Sequence, residues 1–274
     1  MSLKKISEKL SYVMLNSKMN KGIRLVDTMP RIIEHDSIGL DSAVVQAARV
    51  SYGKGTKKLN DDKNLISYLM QHKHTTPFEM VEFKFHVKAP IFITRQWMRH
   101  RTGTFNEISG RYSELKSEWY IPEAVREQSI NNKQGSGMPM VSSYWEEYME
   151  GCEIQNNYYN NLINEGVSKE IARIGLPQNM YTEFYWKVNL HNLLHFLKLR
   201  SHSTAQEEIR EYADEIKNII QPLCPTTVSA FEEYIINSIT LSGTEVKSIR
   251  ELKPFNGTKR QIEEYNNKLE FLRL

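Results

Sequence analysis

The sequence predicts an α+β fold: an antiparallel-rich central sheet packed with several helices, not a Rossmann fold. Three observations point there. Met80 to Val87 sets Val81, Phe83, Phe85 and Val87 against Glu82, Lys84 and His86, the period-two alternation of a half-buried strand. Met180 to Val188 is aromatic-rich and reads as a second strand. Strand-like and helix-like stretches do not follow one another as regular βαβ units, and no GxGxxG follows a strand.

The elements follow in chain order. Leu3, Ile6, Leu10 and Val13 recur at helical spacing, so residues 1–21 read as an N-terminal helical extension. Ile23 to Val26 is a short apolar strand. Leu40 to Tyr52 is a buried helix with Asp41 and Ser42 as cap candidates, ending near Gly53. Asn60 to Lys73 is a second helix with Leu65, Leu69 and Met70 on one side, broken by His74-Thr75-Thr76-Pro77. After the strand at Met80, Pro90 opens a helix at a position that tolerates proline, and the helix carries Arg95, Gln96, Arg99 and His100. Asn106 to Tyr112 is a connector or short extended segment. Gln128 to Met140, rich in Asn, Gly, Ser and Pro, is a loop and a candidate lid. Val141 to Glu165 is a long amphipathic helix, and Lys169 to Leu176 a short one stopped by Pro177. Asn189 to Arg200 carries the i, i+3, i+4, i+7 stripe Leu190, Leu193, Leu194, Leu197. Ala205 to Leu223 is a further helix, ended near Pro222 and Pro225. Beyond about Ile239 the chain turns polar, with breaks at Ser242-Gly243 and Asn256-Gly257 and a last helix from Lys259 to Phe271. The organisation is therefore an extension over 1–21, a main domain over 22–240, and a polar C-terminal tail with a helix over 241–274.

Composition excludes some classes of function. The chain has 274 residues, enough to bury a sizeable core, of which 40% are hydrophobic and 25% charged. A net charge of +3 is too small to argue for nucleic acid by itself and is compatible with anionic small molecules. The two cysteines, Cys152 and Cys224, form no CxxC pattern and no disulfide framework, so a reducing compartment is expected. No apolar run approaches the ~18 residues of a transmembrane helix, and the N-terminus has no secretory signature. The reading is a soluble, cytoplasmic protein without a membrane partner.

The chemistry concentrates between Arg99 and Tyr112. Arg99, Arg101 and Arg111 offer planar forks suited to phosphate and carboxylate, and His100 stands between two of them. If 107–111 is extended, Glu107, Ser109 and Arg111 share one face. On the preceding helix, Gln96, Arg99 and His100 share another at i, i+3 and i+4. Together the two elements could surround a nucleotide. The plain alternative is a solvated basic surface helix. A nucleic-acid patch is disfavoured by thin aromatic interleaving and by Glu107, which would repel a phosphate backbone. His191 and His195, at i, i+4, also suit a metal, but the HExxH pattern needs Glu where Asn192 stands, so no metal is expected.

Arg99-His100-Arg101, seven residues, then Ser109 resembles the RHR-x7-S signature of flavin-dependent thymidylate synthases. His74-Thr75-Thr76-Pro77-Phe78-Glu79 is similar to that family's HxTPFE stretch. Ala172-Arg173, Leu176-Pro177 and the Tyr181 to Trp186 run resemble its middle block. Asn189 to Arg200 resembles its flavin-and-substrate helix, and Ala205-Gln206-Glu207-Glu208-Ile209 continues the match. The blocks span roughly Gly22 to Ile239 in the family's order.

The resemblance implies an enzyme that converts dUMP to dTMP, with methylene-tetrahydrofolate as carbon donor and NADPH-reduced FAD as hydride source, without a cysteine nucleophile. It implies dUMP held by Gln96, Arg99, Glu107, Ser109, Gly110, Arg111, Arg173 and Arg200. It implies FAD held by Thr76, Arg99, His100, Arg101, Glu107, Asn189, His191 and His195. It also implies a homotetramer whose sites are shared between subunits. By the same resemblance Arg200 is the catalytic residue: a preorganised cation beside the uracil ring stabilises the negative charge that makes C5 a better nucleophile. Without the resemblance, Arg200 is a helix C-terminal cation complementing the dipole. Ser109 has no evident base and orienting partner, so it reads as a dUMP ligand and not as a nucleophile. The alternative function is a non-catalytic nucleotide- or nucleic-acid-binding module built on the Arg99 to Arg111 segment.

Overall fold

Strand β3 (Glu82–Pro90) lies near the middle of a five-stranded sheet and pairs antiparallel with β7 (Tyr181–Asn189) over its whole length, from Glu82 opposite Asn189 to Pro90 opposite Tyr181. This computed structural model describes residues 13–16, 21–31, 39–50, 62–130 and 132–272. Outside β3 and β7 the sheet adds β2 (Lys21–Met29) with β1 (Val13–Asn16) on one side, and β4 (Gly103–Glu107) on the other. Every pairing is antiparallel, so the expected sheet type stands.

The alternation read in the sequence decides which face is buried. Val81, Phe83, Phe85 and Val87 are fully buried, while Glu82, Lys84 and His86 on the opposite face are partly exposed. Strand β7 repeats the pattern, with Phe184, Trp186 and Val188 inside and Tyr185 and Lys187 outside. Register sets Phe85 opposite Trp186. Onto this apolar face pack α4 (Ile91–Trp97), α7 (Leu190–Arg200) and α8 (Glu207–Ile220). Trp97 meets Trp186 at 5.3 Å, Phe196 at 5.0 Å and Tyr212 at 5.6 Å between ring centroids. Buried aromatics of this kind contribute about 2–3 kcal/mol each from area alone, with roughly 1 kcal/mol more for edge-to-face geometry.

A second layer joins α1 (Leu40–Arg49), α2 (Asp62–Gln71) and α9 (Pro225–Phe231) through Leu40, Val44, Val45, Leu65, Ile66 and Val228. Asp41 does not cap its own helix, whose N-cap is Gly39. Its carboxylate instead accepts from the Thr226 and Thr227 amides at 2.7 and 2.9 Å and from Thr227 Oγ1 at 2.6 Å. It thus satisfies the free N–H groups of α9, a helix that the sequence reading did not separate.

Several expectations need correction. Val13 begins a strand instead of closing a helix; Leu3, Ile6 and Leu10 lie outside the described residues. The first buried helix ends at Arg49, and its expected end near Gly53 also lies outside them. The segment Gln128 to Met140 is not an open loop: β5 (Arg126–Gln128) and β6 (Ser136–Pro139) pair as a hairpin. The short helix α3 (Thr76–Glu79) forms where only a break was expected. The long amphipathic helix appears as α5 (Trp145–Asn164), and α6 (Lys169–Ala172) runs into a 3-10 turn at Arg173–Gly175.

Contacts divide the chain into two compact units, Met1–Phe231 and Glu232–Leu274. The second contains α10 (Gly243–Glu251) and α11 (Lys259–Leu272). Ser242, expected as a break, opens α10 through a capping box: its hydroxyl accepts from Glu245 N, and Glu245 accepts from Ser242 N. Lys268 on α11 reaches Glu245 at 2.8 Å, and Phe255 stacks near Tyr265 at 4.8 Å. Among the described residues, no helix is long and apolar enough to cross a membrane.

Candidate active site

Arg200 is the last residue of α7, where a cation complements the helix dipole. Its surroundings ask more of it than that. Nη2 donates to the main-chain oxygen of Gln96 at 3.2 Å. Nε is buried and has no hydrogen-bond partner among the described residues, and no carboxylate there pairs with the guanidinium. Burial alone holds its pKa below the usual arginine value. A half-buried cation without a counter-ion is costly, and such groups concentrate where a ligand supplies the missing charge. Gln96 Nε2 in turn donates to Gln206 Oε1 at 2.6 Å, so residues from α4, α7 and the start of α8 converge at this point.

Beside Arg200 sits a histidine cluster. His100 is buried, and its Nε2 donates to the Asn192 carbonyl at 2.8 Å, which leaves Nδ1 as the acceptor. Its ring lies 5.5 Å from that of His195. Burial, followed by the charges of His195 and Arg200, pushes the His100 pKa down, so the ring is neutral at neutral pH. His195 is also pushed down, by burial and then by His191 and Lys198. Asn189 caps α7: its Oδ1 accepts from both Asn192 N and Asn192 Nδ2 at 2.9 Å. Arg99 and Arg101 are exposed on either side of His100. Helix α3, carrying Thr76, packs against α7. Thr76 lines a cavity of about 480 Å³ with Ala47, Leu69, His74, Pro77 and Met80.

A second group forms around the end of β4. Glu107 Oε1 accepts from Thr182 Oγ1 at 2.7 Å. The chain then turns, with Tyr112 N and Ser113 N donating to Ser109 O at 3.1 and 3.0 Å. Gly110 is buried against Arg173: a Cβ there would stand 3.2 Å from Arg173 Cδ and 3.0 Å from Leu115 Cδ1. A side chain there would have to displace the Leu115 and Arg173 side chains by a few tenths of an ångström. Arg111 Nε lies 3.4 Å from Glu170, and both Arg111 and Arg173 are exposed.

Two geometric expectations fail. Helix α4 stops at Trp97, so Gln96, Arg99 and His100 do not share a helical face; the turn after Trp97 sends His100 inward to Asn192 while Arg99 faces out. The segment 107–111 is not extended past Glu107, so Glu107, Ser109 and Arg111 do not align on one strand face. Most of the expected residues still gather, but in two groups. Gln96, His100, Arg200, His195, His191 and Asn189 form one. Ser109, Gly110, Arg111 and Arg173 form the other. No described hydrogen bond, ion pair or ring contact joins them. Gln206 carried no role in the sequence reading; its one signal was the match continuing past Arg200.

Both cysteines are buried. Cys224 Sγ donates to the Ile220 carbonyl at 3.3 Å, and burial pushes its thiol well up, away from the thiolate that a nucleophile requires.

A family model described as "Thymidylate synthase complementing protein" matches residues 31–226, which enclose every candidate site residue. A flavin-dependent thymidylate synthase of Dictyostelium discoideum is 48% identical over 256 residues, 91% of this chain and 84% of that one. Its counterpart from Thermus thermophilus is 52% identical over 237 residues, 85% of this chain and 84% of that one. Among solved structures, a UMP/dUMP methylase, PolB from Streptomyces cacaoi bound with 5-Br UMP, superposes with a TM-score of 0.68 at 32% identity, covering 79% of this chain and 95% of that one. The same protein bound with 5-Br dUMP gives 0.67 at 33% identity, with 79% and 96% covered.

Proposed function

The chain belongs to the flavin-dependent thymidylate synthase family, and from that premise we propose that it methylates dUMP to dTMP. The carbon donor is methylene-tetrahydrofolate, and the hydride comes from FAD reduced by NADPH. The observation that carries the reading is Arg200: a half-buried guanidinium whose Nε has no partner and which no described carboxylate neutralises.

The residues present fit a flavin. Exposed Arg99 and Arg101 suit a pyrophosphate, and neutral His100 and His195 beside α7 suit the edge of an uncharged ring. Thr76, on α3, lines a cavity, and α3 packs against α7, the helix that carries His191 and follows Asn189; Glu107, at the end of β4, is the remaining member of the set that the resemblance implies. Bound there, FAD supplies the redox step that spares the protein a thiol nucleophile. The chain's own part is electrostatic and positional. Arg200 stabilises negative charge spread over the pyrimidine as C5 attacks the carbon donor, in surroundings where burial strengthens the interaction. Gln96 orients the nucleotide. Ser109, the Gly110 backbone, Arg111 and Arg173 take its phosphate, which suits their exposed cationic forks. The buried thiols of Cys152 and Cys224 take no part.

The test is tritium release from 5-tritiated dUMP with FAD, NADPH and methylene-tetrahydrofolate, omitting each in turn. Release that requires flavin and reductant, with dTMP as product, supports the reading. No release from folded, flavin-loaded protein retires it in favour of a nucleotide-binding module.

A further inference from the structure

Gln206 stands immediately before α8 as its N-cap, yet its side chain makes no capping bond. Its amide is spent elsewhere: Oε1 accepts from Gln96 Nε2 at 2.6 Å, across 110 residues of sequence. It makes no other side-chain hydrogen bond among the described residues. The chain around it is held from two sides. Asn132 Nδ2 donates to the Thr204 carbonyl at 3.2 Å. Two residues further on, Glu208 is buried and its carboxylate is gripped by Tyr120 Oη at 2.9 Å and by Arg126, which also pairs with Glu207. The start of α8 is thus pinned to the Tyr120 to Asn132 segment, and Gln206 projects from that anchored base to Gln96.

We propose that Gln206 is a positioning residue for the pyrimidine nucleotide: it fixes the amide plane of Gln96 by accepting from Nε2, so that the Gln96 carboxamide oxygen is left free to accept from the substrate. The proposal rests on the functional reading above. A glutamine on a seven-residue helix has rotamers to lose, and a bond already made in the free protein removes that loss from binding. The effect falls on substrate binding more than on the chemical step. Arg200 is held by the main-chain oxygen of Gln96, and that bond does not depend on where the Gln96 amide points.

The experiment compares Gln206→Leu and Gln206→Glu with the wild type, measuring kcat and KM for dUMP, the visible flavin spectrum and the melting temperature. Leucine keeps the volume and loses the acceptor; glutamate keeps the acceptor and loses the donor. Gln206→Leu is expected to raise KM about tenfold with kcat within about threefold, a pattern of lost binding without lost chemistry. Gln206→Glu keeps the acceptor but adds a charge near Arg200, so it is expected to raise KM less than leucine does, with any loss in kcat reporting on Arg200. Flavin spectra remain unchanged, because His100 and His195 are not touched. Wild-type KM in Gln206→Leu overturns the proposal. So does a leucine variant that loses kcat with KM unchanged, since the loss would then lie in the chemical step and not in binding. Should Gln206→Leu fail to fold, Gln206→Met makes the same comparison. A wild type that does not turn over dUMP removes the functional reading and this proposal together; an active wild type with an unaffected Gln206→Leu removes only this one.

Discussion

Arg200 and His100 are neighbours whose charges are handled in opposite ways. Arg200 keeps its charge despite burial, because a guanidinium in a protein does not give it up. Removing it costs little stability, since the hydrogen bond to the Gln96 carbonyl and the place at the helix C-terminus are offset by the cost of burying a cation without a counter-ion. Arg200→Ala is therefore expected to lower kcat for dTMP formation by about 100-fold or more while melting within a few degrees of wild type. Tritium release and a thermal melt check both halves, and near wild-type turnover sinks the assignment. His100 gives up its charge. Burial depresses its folded-state pKa below the ordinary 6.5, so below about pH 6.5 the unfolded chain binds more protons than the folded one. Stability is therefore full above that value and falls with pH until the folded-state pKa is passed. His195 acts in the same direction, whereas Glu208, also depressed, acts only below its ordinary 4.5. Flavin-free His100→Gln should lose less stability than wild type between about pH 7.5 and 5.5 in urea melts, a window that brackets the ordinary histidine value; an equal loss would exclude His100 as the source. At this scale the sequence indicated which residue types gather, because Arg, His and Gln cluster around one short signature. It did not indicate that Arg200 lacks a counter-ion. Its surroundings are set by Gln96, 104 residues away in sequence, and by Gln206, which lies 110 residues from Gln96.

Elements were legible where one face is buried and illegible where long-range partners hold them. The alternation in β3 and the aromatic run in β7 marked both strands correctly, because a one-residue slip would turn Phe83, Phe85 and Trp186 into solvent. The β5–β6 hairpin was read as a loop, since Asn, Gly, Ser and Pro dominate it; its anchor is Arg126 on Glu207 and Glu208, which no local pattern announces. The end of α4 at Trp97 carries no Gly or Pro signal either, and the turn there serves the His100 bond to Asn192. Edge strand β4 gives a test of element packing. Gly103 sits opposite Val188, and a Cβ added there would meet Trp186 Nε1 at 2.5 Å and the Lys187 carbonyl at 3.2 Å. Trp186 is fully buried among Phe85, Trp97 and Phe196 and cannot yield. Gly103→Ala should therefore destabilise by about 1–3 kcal/mol, the usual range for overpacking, read as a lowered denaturant midpoint. Because β4 leads from the Arg99–Arg101 turn to Glu107, flavin affinity should fall with it. A variant with unchanged midpoint and affinity would show that the strand edge adapts.

At the scale of the whole molecule, the two groups of candidate ligands do not meet within one chain by any described bond or contact. Arg200, Gln96 and the histidines lie where α4 and α7 converge on α8, while Gly110, Arg111 and Arg173 lie where the β4 turn meets α6 and its 3-10 extension. One small nucleotide needs both: a cation for its ring and cationic forks for its phosphate. The homotetramer that the family resemblance implies would resolve this, because a symmetric assembly can set the first group of one subunit against the second group of another. Exposed apolar side chains around the second group, Ile108, Tyr112, Ile171 and Ile174, are what an interface there would cover. The arrangement predicts complementation. Arg200→Ala and Arg173→Ala should each be nearly inactive alone. Unfolded together in equal amounts and refolded, they should recover activity, with about a quarter of sites drawing both arginines intact if subunits pair at random. Sites contained within one chain would recover nothing, because every chain carries one lesion. Recovery without mixing at the refolding step would mean that subunits exchange freely, and a dilution series of the mixed protein would then give the strength of the interface.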